Sequence, residues 1–200
     1  DNFNTYPPRV RPGDTILMHA GVYKDNRYAY QGGFGTISSG TYFLTQSGTY
    51  ESPIVIKAAG DGEVVFDGDG AYNLFNVMAA NYNYFEGLTF RNAELVFQAG
   101  VKNIAGSSGL TIKHSRFENV GRGIYTDWSG SRDYTITDNV LIGKFAPDHL
   151  MGFTGPVWEP YFGANGAPPL VSEYAIKVYG AGHVVAYNRI ENFHDGVDVA

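Results

Sequence analysis

The sequence predicts an all-β chain that coils as a parallel β-helix, with three short strands in each coil. Three observations predict this class. No window of a dozen residues keeps apolar residues at helical spacing without a Gly, Pro or Asn-rich break. Apolar runs are instead short and rich in β-branched and aromatic residues. A pattern of such runs also returns at intervals of about two dozen residues, as coil stacking requires.

The strands are predicted in chain order from short apolar runs, each bounded by Gly, Asn or Asp. Because runs of this length bury little surface alone, each is expected to stack on the equivalent strand of the next coil. The predicted strands are Thr15–Met18, Ile54–Ile56, Val64–Phe66, Leu74–Val77, Leu110–Ile112, Tyr134–Ile136 and Val184–Ala186.

An internal repeat favours the β-helix over other all-β folds. An apolar residue, a variable residue and then Asn or Gly recur at Phe90–Asn92, Phe117–Asn119, Leu141–Gly143 and Ile190–Asn192, with spacings of 27, 24 and 49 residues. The alternative is an antiparallel sandwich, which also has short strands and frequent turns. Because a sandwich does not require a corner to return at coil spacing, the repeat favours the β-helix, with the corner asparagines stacked in a structural ladder.

Composition excludes several functional classes. The 200 residues contain 14 Lys and Arg against 20 Asp and Glu, a formal net charge of −6, which argues against a nucleic-acid partner. The chain has no Cys, which excludes disulfides, thiolate catalysis and Cys-based zinc sites. No apolar run approaches the ~20 residues of a membrane helix, so no membrane span is predicted.

The chain is predicted to be one domain, residues 1–200, with loop insertions at about 25–49 and 146–172. The first insertion is rich in Gly and Tyr and is expected to cap the end of the helix. The second is too long for a coil corner, and loops of this kind are usually functional. Its Trp158 and Tyr161 are expected to wall a groove, or alternatively to pack back on the flank of the helix.

Alignment of the coils predicts one inward and one outward column of side chains. Residues Ile124, Ile176 and Val197 are expected to stack inward, and alternation along the strands turns their neighbours outward. Strands lie about 4.8 Å apart, so successive members of a column can touch. The outward column is Tyr125, Lys177 and Asp198, and the residues beside it are Arg122, Asp127, Trp128, Tyr174, Tyr179, His194 and Asp195.

These side chains suit a groove that binds acidic sugars, because aromatic rings stack on pyranose rings and a cation neutralises a uronate carboxylate. In β-elimination, that neutralisation makes the C5 proton acidic, a base removes it, and an acid protonates the leaving oxygen. We expect Lys177 or Arg122 to neutralise, and Tyr125, His194 or Lys177 to act as base or acid. The expected substrate-binding residues are Asp127, Trp128, Trp158, Tyr161, Tyr179, Asp195 and Asp198.

Two other interpretations of the same column remain open. A glycoside hydrolase would use Asp195 and Asp198 as its two carboxylates, with Asp127 in reserve. A solvated sheet face would need no ligand at all, and would pair Lys177 with Asp198 across neighbouring strands.

Several segments resemble a known superfamily. Residues 12–23, PGDTILMHAGVY, resemble the first-coil signature of right-handed parallel β-helix proteins of the pectate-lyase-like superfamily. Ser52–Ala59, Val64–Gly68 and Phe85–Asn92 resemble the next coils, especially in the branch that holds chondroitinase B and the alginate lyases. The resemblance covers about residues 12–145 and 173–200. It implies a protein that is secreted to the extracellular space or periplasm and acts on an acidic polysaccharide.

The chain also departs from that branch. The resemblance implies calcium, held by an Asn and two acidic residues on adjacent coils, but the acidic pair aligns near Val197 and Val199, so no metal ligand is assigned. The branch's catalytic Lys and Arg align beyond Ala200, and we therefore expect the chain to be the N-terminal portion of a longer helix.

The sequence thus predicts a lyase that cleaves a uronate-containing polysaccharide by β-elimination. The alternative is a β-helix without catalytic activity that binds carbohydrate or serves as an adhesin or filament module. The third hypothesis is a glycoside hydrolase. The oligomeric state is not predicted.

Overall fold

A computed structural model describes residues 10–24, 41–144 and 172–199, and all regular secondary structure in these ranges is β-strand. The all-β class is therefore confirmed. The strands are β1 (Thr15–Met18), β2 (Gly21–Tyr23), β3 (Tyr42–Phe43), β4 (Ile54–Ala58), β5 (Val64–Asn76), β6 (Asn83–Glu86), β7 (Thr89–Val101), β8 (Ala105–Gly106), β9 (Thr111–Lys113), β10 (Arg116–Val120), β11 (Arg122–Thr126), β12 (Thr135–Thr137), β13 (Val140–Gly143), β14 (Tyr174–Val178), β15 (Val184–Ala186), β16 (Arg189–Glu191) and β17 (Asp195–Val199).

The strands form two sheets, and the chain passes back and forth between them, with one or two consecutive strands in the second sheet for each strand in the first. One sheet has the order β1-β4-β6-β9-β12-β15, and the main path of the other is β16-β13-β10-β7-β11-β14-β17. Within the described ranges, β7 pairs antiparallel with β8 and the other strand pairs are parallel. Parallel neighbours need a crossover between them. The antiparallel sandwich is therefore wrong.

The register of the strands follows the repeat that was read from the sequence. Phe117 pairs with Phe90 on one side and with Leu141 on the other, and Leu141 pairs in turn with Ile190. A second set of partners runs through β11, β14 and β17, where Ile176 lies between Ile124 and Val197. Ile124 and Ile176 are fully buried, whereas Val197 is 44% exposed on the last strand of its sheet.

The corners between strands use left-handed backbone, and they too recur at coil spacing. Non-glycine residues pay about 1–2 kcal/mol for this conformation, which is why glycine and asparagine are favoured there. The predicted ladder is present where Nδ2 of Asn119 donates to Oδ1 of Asn92 at 2.9 Å. Three corner columns have positive φ: Gly60, Gly87, His114, Asp138 and Tyr187; Tyr82, Gly109, Asp133 and Gly182; and Asn92, Asn119 and Asn192.

A second asparagine ladder, which the sequence analysis did not identify, lies inside the structure. Asn139 is 1% exposed, and its Nδ2 donates to the carbonyl of Ile112 and to Oδ1 of Asn188, both at 3.0 Å. Its own Oδ1 accepts from the backbone N–H of Ser115 at 2.9 Å. This side chain therefore links three segments that are distant in sequence, and it pairs the backbone N–H of Ser115 in the interior.

Stacked phenylalanines fill the space between the two sheets. Phe75 contacts Phe85 edge-on and is stacked on Phe97, with ring centroids 5.4 and 5.3 Å apart. Phe90 and Phe117 continue the column at 5.1 Å. Rings at these separations gain about 0.5–1.5 kcal/mol per pair beyond the area they bury.

The expected insertion at 25–49 contains strand structure at its end. Tyr42 and Phe43 form β3, which pairs in parallel with Phe75 and Asn76 of β5. The remainder of that insertion up to residue 40, and residues 146–171 of the other, lie outside the described residues. No helix in the described ranges is long and apolar enough to cross a membrane.

Candidate functional site

The outward column predicted from the sequence lies on β11, β14 and β17. Tyr125 pairs with Lys177, and Lys177 pairs with Asp198 on the next strand. Strands β11 and β14 share one burial pattern, in which the first and fourth residues are half-buried and the other three are buried. Arg122 and Tyr125 therefore share a face on β11, as Tyr174 and Lys177 do on β14.

Lys177 is the centre of this cluster. Its Nζ lies 4.8 Å from the centroid of the Tyr174 ring and 5.6 Å from that of Tyr125, both within range of a cation–π contact. The same atom is 3.4 Å from a carboxylate oxygen of Asp198 and 3.8 Å from one of Asp127. The lysine side chain is only 16% exposed, so these interactions are weakly screened by solvent.

The two tyrosines of the cluster differ in their electrostatic surroundings. Burial raises the pKa of Tyr174 strongly, and the carboxylates of Glu173, Asp198 and Asp195 raise it further because they repel the phenolate. Tyr174 therefore keeps its proton. Tyr125 lies 6.3 Å from it, centroid to centroid, and has the guanidinium of Arg122 5.8 Å from its ring centroid as well as Lys177.

Arg122 is held by Glu173, a partner that the sequence analysis missed. The guanidinium donates to the Glu173 carboxylate, and both side chains are largely buried, with 17% and 13% exposed. A similar pair beside it joins Lys144 to Glu94. Removal of one member of such a pair would leave an uncompensated charge away from water.

The sequence signal that could have identified Glu173 is a glycine, Gly121, that lies between Glu94 and Glu173 at the spacing of the repeat. Glu94, Gly121 and Glu173 are separated by 27 and 52 residues, which are coil spacings. A Cβ at Gly121 would lie 2.7 Å from Oε2 of Glu94. A larger residue at position 121 would therefore clash with the backbone and the carboxylate of Glu94.

Asp127 and Trp128 lie on the turn that follows β11. The hydroxyls of Thr126 and Ser131 share a hydrogen bond of 2.7 Å across this turn. A Cβ at Gly106 would lie 2.5 Å from Cε3 of Trp128, and one at Gly130 would lie 2.6 Å from Cζ2. The indole of Trp128 thus packs on glycine backbone, and this packing fixes the turn that carries Asp127.

The remaining predicted residues lie beside the cluster. Nδ1 of His194 is 3.2 Å from Oδ1 of Asp195, which pairs with Tyr174 across β14 and β17. The carbonyl of Tyr179 accepts from Nε2 of His183 at 3.1 Å, and the backbone N–H of Tyr134 donates to Nδ1 of the same ring. Trp158 and Tyr161 lie outside the described residues.

The described side chains do not fit a calcium site. No group of three or more His, Asp or Glu in the described ranges is arranged to hold a metal ion. Asp127 and Asp198, the two acids that face each other here, share the ammonium of Lys177. Calcium needs six to eight oxygen ligands, so we derive no chemical step through it.

No protein-family model matches the chain, and no curated protein matches it. Among solved structures, the chain is similar to the crystal structure of alginate lyase from Paenibacillus sp. str. FPU-7, with 14% sequence identity and a TM-score of 0.46. The match covers 94% of this chain and 53% of that one, so the chain spans about half the length of that structure.

Proposed function

We propose that the chain is a right-handed parallel β-helix that cleaves a uronate-containing polysaccharide by β-elimination. The observation that carries the proposal is the position of Lys177, whose ammonium is within cation–π range of the rings of both Tyr125 and Tyr174 on β11 and β14. A cation with two flanking rings and a second cation nearby, Arg122, is the set of groups that binds and activates a uronate.

The β-helix is supported by strand order and by the corners. In the described ranges, neighbouring strands other than the β7–β8 pair are parallel and distant in sequence, and the left-handed corners recur at 27, 24 and 49 residues. A coil with corners at fixed positions places every outward side chain above its equivalent in the next coil. That stacking is what brings Tyr125, Lys177 and Asp198 into one column.

In the proposed reaction, Lys177 neutralises the substrate carboxylate so that the adjoining C5–H becomes acidic. Tyr125, as phenolate, removes this proton, and the electron pair of the C5–H bond forms the C4–C5 double bond. The C4–O4 bond breaks, and the leaving oxygen takes a proton from His194. We do not assign Tyr174 as the base, because burial and the neighbouring carboxylates raise its pKa and so disfavour its phenolate.

Binding of the sugar chain is assigned to the aromatic and acidic groups around the column. The ring of Tyr174 offers a surface for a pyranose, and Asp195 and Asp198 are hydrogen-bond acceptors for hydroxyls. The acidic polysaccharide implies a protein that works where such polymers occur, so we propose secretion to the extracellular space or periplasm.

The experiment that tests this function is digestion of alginate, pectate and glycosaminoglycans. β-Elimination produces an unsaturated uronate, which we expect to follow as rising ultraviolet absorbance. Reducing ends that increase without this absorbance would instead identify a hydrolase acting through Asp195 and Asp198. If none of these polymers is cleaved, the lyase proposal is wrong.

A second candidate function is binding without cleavage, as in an adhesin or filament module. It is favoured by one observation: Arg122 and Lys177, the two cations of the cluster, are both already compensated by carboxylates. Retention on a polysaccharide gel without release of products would distinguish this function from the lyase.

A further inference from the structure

The proposed site compensates its own positive charge before any substrate binds. Three cations lie on or beside this face, and each one contacts at least one carboxylate: Arg122 with Glu173, Lys144 with Glu94, and Lys177 with both Asp127 and Asp198. A uronate that enters the cluster therefore competes with carboxylates of the protein for the same cation.

The three cations differ in how tightly they are held. Arg122 and Lys144 donate hydrogen bonds to partners whose side chains are only 13% and 9% exposed. Lys177 divides its charge between two carboxylates at 3.4 and 3.8 Å, distances longer than those of a good charged hydrogen bond. Lys177 is therefore the cation that loses the least interaction energy with the protein's carboxylates when an external carboxylate replaces one of them.

Of the two carboxylates, Asp127 holds Lys177 more weakly. Asp198 lies within β17 in register with Lys177, and its contact is the shorter one. Asp127 lies on the turn beyond the end of β11, and its contact of 3.8 Å exceeds hydrogen-bond distance.

We infer that Asp127 is a specificity-determining counter-ion, which occupies Lys177 in the free protein and is displaced by the carboxylate of a bound uronate. This inference rests on the proposed function. When a uronate displaces Asp127, one carboxylate replaces another beside Lys177, so the charge next to the ammonium does not change. In the free protein, Asp127 keeps this ammonium paired. A neutral sugar has no carboxylate to replace that of Asp127, so this displacement does not favour its binding.

The test compares Asp127→Asn with the unchanged Asp127, both in a Tyr125→Phe background that leaves the ligand uncleaved. The dissociation constant of a uronate oligosaccharide is measured beside that of the same oligosaccharide with its carboxyl groups reduced to alcohols. We expect Asp127→Asn to bind the uronate about fivefold or more tightly, which corresponds to about 1 kcal/mol, and to leave the reduced ligand unaffected. Uronate binding should also become more sensitive to salt.

Asp138→Asn is the matched control, because it removes one negative charge from an exposed corner of another part of the surface. It should change neither dissociation constant. Asp127→Ala provides a second variant, and thermal unfolding of each protein reports whether the fold is kept.

Two results overturn the inference while leaving the proposed function intact. Uronate binding that is unchanged or weaker in both Asp127 variants would mean that Asp127 does not compete for Lys177. Equal tightening for the uronate and the reduced ligand would mean that Asp127 acts on the sugar ring instead of the carboxylate. If none of the proteins binds a uronate, the proposed function fails, and this inference fails with it.

Discussion

The ammonium of Lys177 lies 4.8 Å from the centroid of the Tyr174 ring, three residues earlier in the same strand. The two residues share the outward face of β14 because Ala175 and Ile176 between them are both buried. The Tyr174 ring thus contacts the ammonium, and Asp127 and Asp198 approach it from the segments on either side.

Replacement of Lys177 by Ala should abolish most turnover if this lysine neutralises the substrate carboxylate. Loss of a group that stabilises charge in the transition state typically costs 10²–10³-fold, so we expect a fall in kcat/KM of about that size. Lys57→Ala, on β4 of the other sheet, is the matched control and should retain activity. Full activity of Lys177→Ala would show that the site lies elsewhere.

The two tyrosines should respond differently to replacement by Phe. Tyr125→Phe removes the proposed base, and we expect kcat to fall by about 10²–10⁴-fold. Tyr174→Phe retains the ring and loses a hydroxyl that keeps its proton, so KM should change more than kcat. Steady-state kinetics on the same uronate polymer measure both. Equal losses of kcat in the two variants would contradict the assignment of Tyr125.

The pair between Arg122 and Glu173 should contribute to stability as well as to the site. Glu173→Gln leaves the largely buried guanidinium without its counter-charge, which typically costs about 3–5 kcal/mol in the free energy of unfolding. Because some of each side chain remains exposed, the lower end is expected. Denaturant unfolding measures the change. The double variant Arg122→Met, Glu173→Leu should recover much of the loss, since it removes both charges together.

The inner asparagine ladder should be more sensitive to mutation than its outermost member. Asn139→Ala leaves the Ser115 N–H unpaired in the interior and removes one donor from the Ile112 carbonyl, and we expect a loss of about 1–3 kcal/mol. Asn188→Ala, at a half-buried position of the same ladder, should cost less because water can replace its bonds. Comparable losses at the two positions would indicate that burial does not set the cost.

Acid should weaken the fold through Asp67. Burial acts to raise the pKa of Asp67, but hydrogen bonds from Asn92, the Asp69 amide and Arg91 outweigh it and lower the pKa below its ordinary value of 3.8. Because the pKa of Asp67 is lower in the folded state, its ionised carboxylate stabilises the fold at pH values above the pKa of the unfolded state. This stabilisation is lost as the pH falls through the pKa of the folded state.

Asp67→Asn should therefore be less stable than the unchanged protein at neutral pH. The difference between their free energies of unfolding should narrow as the pH falls below 3.8. Denaturant unfolding at a series of pH values measures it. A gap that stays constant over this range would contradict the role of the ionised carboxylate.

The repeat of apolar and corner residues predicted the repeated strands and their register from the sequence, but not β3 or β8. Phe90, Phe117, Leu141 and Ile190 are register partners because each parallel strand places an apolar residue at the equivalent position. The column of Tyr125, Lys177 and Asp198 followed from the same alignment, since alternation assigns the face of each neighbour.

The tertiary structure alone decided which charges are paired. Glu173 directly precedes β14, whereas Glu94 lies within β7. Although the spacing through Gly121 marks both positions, it does not say which cation each carboxylate contacts. The packing of Trp128 on Gly106 depends in the same way on backbone that the fold brings together. Periodicity determines which face a residue occupies, whereas the partner of a long side chain depends on its rotamer and on neighbours that are distant in sequence.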